Sequence, residues 1–572
     1  MKRALVLFIL VLPTLAAGLD WQPWSDNLFA RAKQQDRLVL LDLEAVWCHW
    51  CHVMAETTYK DPAVDALLEQ NYLLIRVDQD SRPDISHRYE DYGWPATVIF
   101  DSNGKELVKR QGYIEPAEMA RLLKAVIEEP TPKPSVVPEK LIEFAASAQM
   151  SVELRAKLHT RYLAGYDHKQ GSWGFSQKYL DWDSVELAIA LARQGDANAA
   201  VMARKTLDEQ FHLIDPVWGG VYQYSTGGNW KEPHFERIMQ FQAANLRIYS
   251  LGYEQWHAPE YRKAALDVHR FLHEFLTSPE AAFYTSMDAD LVDGEHSAAY
   301  FKLDDAGRRK LGIPRIDRHI YSRENGWAIE AVVALYEATG DEQYLAEARR
   351  AADWIIANRP IANGGYRHDE RDLAGPFLGD TLAMSRAFLK LYEATADRRW
   401  LTRAADGVRF IAANFRNAAG AGFVTSRTAT DAAYRPEPEH DENLSLARTA
   451  NLLASYTGDA AFRETAIEAM RFAVTPDIAK EYTPAGLLLT DLELSHPPVH
   501  ITVVGAKSDA AAHRLFLNAL TYPCGYRRVE WLDRAEGPLP NSDVEFPVLS
   551  ESAAFLCSGN TCTRLGKSAP QW

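Results

Sequence analysis

In AVWCHWCHVM (residues 45–54), two residues separate Cys48 from Cys51, and a histidine follows each cysteine. That spacing serves three chemistries: thiol–disulfide exchange, covalent haem attachment through C-x-x-C-H, or a zinc site built from two cysteines and two histidines. The flanking residues separate them. LVLLDLEAVWCHWC runs from an apolar strand into Cys48 and then a helix, and a helix N-terminus stabilises the thiolate of the cysteine placed there. Haem would need a distal ligand and a small helical wrapping domain. Adjacent Cys–His pairs chelate zinc poorly, and no second ligand pair follows at finger spacing. Redox chemistry is therefore expected, with no metal and no organic cofactor. Cys48 is the nucleophile and Cys51 the resolving thiol, and His49 lowers the Cys48 pKa by its charge. Asp42, in the strand, either relays the Cys51 proton or is a hydrogen-bonded structural carboxylate. Pro95, in GWPATVIF, is expected as a cis-proline presenting backbone to a substrate chain.

A second group of residues suits carbohydrate chemistry, which needs paired carboxylates for hydrolysis or an acid and a base for epimerisation. The candidates are His234 and Glu236 in PHFER, Asp288 and Asp290 in SMDAD, Asp380 in FLGDTL and Asn325 in ENGW. Trp173, Trp218 and Trp230 are candidate platforms for sugar rings, and Trp94, on the CxxC face, is a candidate substrate-binding residue. The structural alternatives are an N-cap for Asp380, a first-turn carboxylate for Glu236 and core packing for the tryptophans.

These residues require two kinds of scaffold. From 19 to 129 the pattern reads strand (RLVLLDLEAV), helices, strand (YLLIRVDQD), a hairpin turning at Asn103-Gly104 and a closing amphipathic helix (EPAEMARLLKAVIEE), which is an α/β sandwich. EEPTPKPSVVPEK supplies a stiff linker over 130–138. Beyond it the chain repeats itself. LYEATGDEQYLAEA from Leu335 returns as LYEATADRRWLTRA from Leu391 and, more faintly, as LASYTGDAAFRETA from Leu453. Six Gly/aromatic segments begin at Ser172, Trp218, Ala281, Asn363, Ala421 and Ala485. Helical hairpins joined by such segments predict a closed α/α barrel over 139–495, with the segments on one rim. A small α/β appendage follows over 496–572. Its Cys557 and Cys562 are expected to form a structural disulfide or else a regulatory pair, and Cys524 a buried free thiol.

The whole chain has 572 residues, 47% hydrophobic and 24% charged, with a formal charge of −16. This composition suits a multidomain globular protein and argues against a nucleic-acid partner. MKRALVLFILVLPTLAAG reads as a signal peptide (1–18), too short for a membrane span, with a retained anchor as the alternative. Export to a secreted or periplasmic location is expected, with no membrane span after cleavage.

CHWCHVM, RVDQDSRPDI, GWP, GGVYQYS…WKEPHFER, YTSMDAD, ENGWAIEA, LYEATADRRWL and FLCSGNTC, in that order, resemble the thioredoxin-domain family that includes spermatogenesis-associated protein 20. The resemblance implies a thioredoxin-like domain fused to an (α/α)6 barrel similar to six-hairpin glycosidases and sugar 2-epimerases, and it brings a fold more than a reaction. This chain departs from the family pattern at Phe241, where Asp is usual, and at Glu324, where Trp is usual. Three functions follow: a thiol–disulfide oxidoreductase acting on protein thiols or disulfides or a redox partner, a carbohydrate-active barrel, or a non-catalytic scaffold. Because the linker is stiff and Trp47, Trp50, Tyr92 and Trp94 crowd the CxxC face, that face is expected to pack on or near the barrel and shield Cys48.

Overall fold

The computed structural model describes residues 18–137, 142–372, 374–427, 435–522, 525–558 and 561–565. Apart from Gly18, the expected signal segment lies outside them, as do Cys524 and Pro138. In the first domain, helix α1 (Leu28–Gln35) precedes strand β1 (Leu38–Glu44), α2 (His49–Glu56), α3 (Pro62–Asn71), β2 (Tyr72–Asp78), α4 (Pro83–Tyr89), β3 (Ala96–Phe100), β4 (Glu106–Gln111) and α5 (Pro116–Glu128). The sheet order is β2-β1-β3-β4, with β1 parallel to β2 and antiparallel to β3. Apolar residues fill both faces of β1, as befits a central strand. Val39, Leu41 and Leu43 pack on Leu28 and Phe29 of α1 and Ile85 and Tyr89 of α4. Leu40 packs on Met54 of α2, Val64 and Leu68 of α3, and Met119 and Leu123 of α5.

Outer and inner helices alternate in the barrel among the described residues: outer α6 (Val152–Ala164), inner α7 (Trp182–Arg193), outer α8 (Ala197–Gln210), inner α9 (Met239–Trp256), outer α10 (Pro259–Phe275), inner α11 (Ser322–Thr339), outer α12 (Glu342–Asn358), inner α13 (Leu378–Thr395), outer α14 (Arg398–Asn414), inner α15 (His440–Thr457), outer α16 (Ala460–Ala473) and inner α17 (Pro484–Ser495). Each inner helix packs on the outer helix that follows it, and α17 packs on α6. Inner helices touch in sequence, and α17 returns to α7, closing the ring.

The Gly/aromatic segments are explained by a repeated clamp at the fourth residue of an inner helix. Gln242 exchanges hydrogen bonds with the Val221 backbone at 2.7 and 2.6 Å. Asn325 does so with Phe283 at 2.8 and 2.9 Å, and Asn443 with Phe423 at 2.8 and 2.9 Å. At the corresponding position Thr381 accepts from the Tyr366 N–H at 3.1 Å. In three segments a glycine lets the backbone lie flush on an outer helix, at Gly220, Gly365 and Gly422. A Cβ at Gly220 (φ +74°) would stand 2.5 Å from the Phe271 ring, and one at Gly365 2.5 Å from that of Phe410. The sixth segment departs from the expectation: AGLLLTD lies inside α17, because Pro484 at the helix start directs the chain straight into helix.

The appendage consists of β5 (Val499–Val504), α18 (Ala510–Leu520), β6 (Arg527–Leu532), β7 (Ala553–Ser558) and β8 (Thr561–Arg564), in sheet order β6-β5-β7-β8. No helix among the described residues is long and apolar enough to cross a membrane.

Candidate functional site

Cys48 is the N-cap of α2. Its sulfur accepts the Cys51 N–H at 3.1 Å, and the two cysteines are disulfide-bonded. The strand β1 ends at Glu44, and the turn after it delivers Cys48 to the start of α2. Trp94–Pro95 is a cis peptide bond, as expected for Pro95. Asp42 is buried on β1 with Arg76 as its partner, Nε to Oδ2 3.1 Å. Burial raises the Asp42 pKa against the pull of Arg76. This geometry favours a charge-compensated structural carboxylate.

The disulfide faces the barrel. Ala45, Trp47, Cys48 and Cys51 form one apolar cluster with Ile238, bordered by Trp94 and Phe241. Cys48 is only 3% exposed, whereas Trp50 is 41% exposed. The packing expected for this face is thus present, with Trp50 left outside it. Phe241 supplies apolar surface at this contact.

A polar latch surrounds the cluster. Asp290 binds His49 Nδ1 at 2.7 Å and His52 Nδ1 at 3.1 Å. Burial alone would raise the Asp290 pKa, but hydrogen bonds from the two histidines hold it at about 2. Burial lifts that of Asp288 to about 6. Arg315 donates to the Val46 carbonyl at 2.8 Å, and the Ala289 N–H to that of Trp47 at 3.3 Å. Further along the seam, His368 Nε2 donates to the Asp80 carbonyl at 2.6 Å, while its Nδ1 faces Asp380 Oδ1 at 2.9 Å. Burial would lower the His368 pKa; the Asp380 charge overrides it and raises it to about 9.

Between the domains lies a cavity of about 350 Å³. The first halves of all six inner helices line it, and the first domain roofs it with Asp80, His87, Glu90 and Trp94. Trp182 and Trp327 add aromatic wall, and Glu324 supplies a carboxylate. Deeper in, each inner helix contributes a charge, and these pair across helices. Glu186 meets Arg247 at 2.7 Å and Arg448 at 2.7 Å, Arg386 meets Glu330 at 2.9 Å, and Arg448 meets Glu493 at 2.8 Å. Burial raises the pKa of Asp183 to about 7 and those of Glu439 and Glu442 to about 8, and neighbouring carboxylates add to the rise.

Of the candidates read from the sequence, Trp94 lines this cavity and the barrel set does not. Asp288 and Asp290 serve the latch. Asn325 is spent on the backbone clamp. Asp380 is the third residue of α13 rather than its N-cap, and it accepts the Arg323 N–H and faces His368. Glu236 precedes α9 instead of lying inside a helix; it is buried, 3.8 Å from His234 Nδ1, and His234 stacks on Tyr224. Trp230 is buried with its indole N–H donated to the Gln170 carbonyl, and Trp173 and Trp218 are core residues. The cavity carboxylates Asp183, Glu330, Glu439 and Glu442, and the latch residues His52 and Arg315, were not singled out from the sequence. His52 was visible in the opening motif. The others carry no local signature, since spatial convergence alone defines them.

Residues 10–130 match the family model described as "Thioredox_DsbH: Protein of unknown function, DUF255". An uncharacterised protein, B0495.5, of Caenorhabditis elegans is 21% identical, with 74% of this chain and 75% of that one covered. Spermatogenesis-associated protein 20 of Mus musculus is 24% identical over 48% of this chain, which spans 39% of the mouse protein. The thiol:disulfide interchange protein DsbD of Campylobacter jejuni is 31% identical over 17% of this chain and 18% of its own. The solved cellobiose 2-epimerase of Bacillus thermoamylovorans is 12% identical, with a TM-score of 0.44 over 58% of this chain and 87% of its own. The chain therefore joins a thioredoxin-like first domain, matching the Thioredox_DsbH family model, to an (α/α)6 barrel, and it is similar to the spermatogenesis-associated protein 20 relatives.

Proposed function

We propose that the protein is a thiol–disulfide oxidoreductase whose CxxC pair meets its partners only when the seam with the barrel opens. The observation that carries this reading is the Cys48–Cys51 disulfide at a helix N-terminus, buried against Ile238 and latched through Asp290. In the reduced protein, the Cys48 thiolate attacks a client disulfide, forming a mixed disulfide and expelling one client thiolate. The Cys51 thiolate then attacks the Cys48 sulfur, expels the second client thiolate and closes the Cys48–Cys51 bond. Two electrons pass to the client, and an external dithiol restores the pair. Run backwards, the same steps oxidise a client dithiol. Similarity of the first domain to a thiol:disulfide interchange protein supports the assignment. The second disulfide, Cys557–Cys562, is consistent with an exported protein in an oxidising compartment. Reduced full-length Cys51→Ser, mixed with a peptide disulfide, should accumulate an adduct on Cys48 by mass spectrometry. Absence of that adduct would contradict the reading.

A second reading rests on the cavity, whose tryptophans and carboxylates suit a carbohydrate. Under it, the barrel binds a glycan with Trp94, Trp182 and Trp327 as platforms and Glu324, Glu330 and Glu442 as polar contacts, in place of the acids first chosen from the sequence.

A further inference from the structure

One corner of the seam is built from both domains and belongs to neither the disulfide nor the latch. His87 and Glu90 come from the end of the first domain's α4 region, and Glu439 is the N-cap of α15. Their ligand atoms lie within 4.8 Å of one another. Glu442, one turn into α15, places Oε1 3.7 Å from His87 Nε2. That histidine is already oriented, because its Nδ1 meets Glu90 Oε2 at 3.2 Å. His87 Nε2 is thereby turned toward the barrel's carboxylates. It has no hydrogen-bond partner, and neither has Oε2 of Glu442, a residue only 9% exposed that lines the cavity. The Glu439 carboxylate is held rigid by the N–H groups of Asp441 (2.7 Å) and Glu442 (2.5 Å), and each of its oxygens retains a lone pair. Arg323, a nearby cation, is engaged by Glu324 at 2.6 Å. An imidazole nitrogen whose other nitrogen meets a carboxylate, with further carboxylates facing it, is the arrangement a histidine-ligated metal requires.

We propose that this corner is a divalent-cation site joining the two domains, with His87, Glu90 and Glu439 as the core ligands and Glu442, 3.7 Å from His87 Nε2, as a further one. One imidazole with carboxylates and no thiolate suits a first-row ion such as Zn²⁺ or Mn²⁺. Because the ligands straddle the seam, the bound ion holds the first domain on the barrel. The inference does not rest on the redox reading.

The test uses the oxidised full-length chain as a Cys524→Ser variant, so that no free thiol competes, stripped with chelator and titrated with Zn²⁺ and separately with Mn²⁺. The expected result is one equivalent of at least one of these ions per chain and a metal-dependent rise in unfolding temperature. His87→Gln and Glu442→Gln should each weaken binding at least about tenfold and abolish the temperature rise. Asp293→Asn, in the separate His52/Asp288/Asp293 group, should change neither. Binding of neither ion, binding that survives both His87→Gln and Glu442→Gln, or binding lost in Asp293→Asn would overturn the proposal.

Discussion

Two four-stranded sheets close the two ends of one barrel, and their topology is the same. The first domain runs β2-β1-β3-β4 and the appendage β6-β5-β7-β8, each with one parallel and two antiparallel pairings in the same order. Their chemistry differs. After β1 the chain enters a helix through Cys48; after β5 it enters one through Asp509, and that helix carries no cysteine. Cys557 and Cys562 lie instead directly opposite each other on β7 and β8. The seams differ in the same sense. At the appendage end, Arg527 drives into the barrel floor and meets Glu393 at 2.6 Å, Glu337 at 2.9 Å and Glu254 at 3.6 Å. At the other end, the seam holds a cavity and a disulfide under a latch. Under the proposed function, the appendage is fixed by the Arg527 cluster and the first domain opens. Sheet topology alone therefore does not assign a redox role; the strand-to-helix junction and the seam do.

The largest effect is expected where the contrast is sharpest. Arg527→Ala takes one cation from three buried glutamates, leaving Glu337 and Glu393 only Lys390, and should lower stability by about 3–5 kcal/mol, read from denaturant unfolding of the full chain. A loss below about 1 kcal/mol would show that the appendage end is no more fixed than the other.

A smaller effect is expected from pH at the movable end. The His368 pKa is raised to about 9 in the docked state, so its contribution to docking is complete below about 6.5, its free value, and is lost as pH rises through 9. The His52 pKa is also raised: burial opposes the charge, but Asp290 and Asp288 outweigh it. Reduction of the Cys48–Cys51 bond by a phosphine, normalised to a free model disulfide at each pH, should therefore quicken as pH rises through about 9. The dependence should flatten in His368→Leu. A flat wild-type profile would remove His368 from the latch.

The fold was largely legible in the sequence because its signals are local. Alternating and buried apolar runs mark the first sheet, and the LYEAT repeats mark the hairpins. The CxxC pair was legible for the same reason. The barrel's acids were not, because acidic residues in the rim segments serve packing as readily as chemistry. Asp380 and Asn325 satisfy buried backbone and His368, while the cavity charges sit deeper on the inner helices. A signal for those charges was present but periodic. Arg247, Glu330, Arg386 and Arg448 each follow a clamp residue (Gln242, Asn325, Thr381 and Asn443) by five positions. Five residues turn a helix by about 140°, so a clamp facing the rim segment puts the charge on the barrel's inner side. Convergence of His87 with Glu439 and Glu442, some 350 residues apart in the chain, has no local signal at all.

Under the proposed function, the barrel guards a working disulfide. The decisive measurement is the rate at which a phosphine reduces Cys48–Cys51 in the full-length protein and in its Asp290→Asn variant. Asp290 touches both histidines of the CHWCH motif but neither sulfur. Its loss should open the seam without altering the bond, and reduction should quicken at least about fivefold, the factor that about 1 kcal/mol sets. Equal rates in the two proteins would contradict the claim.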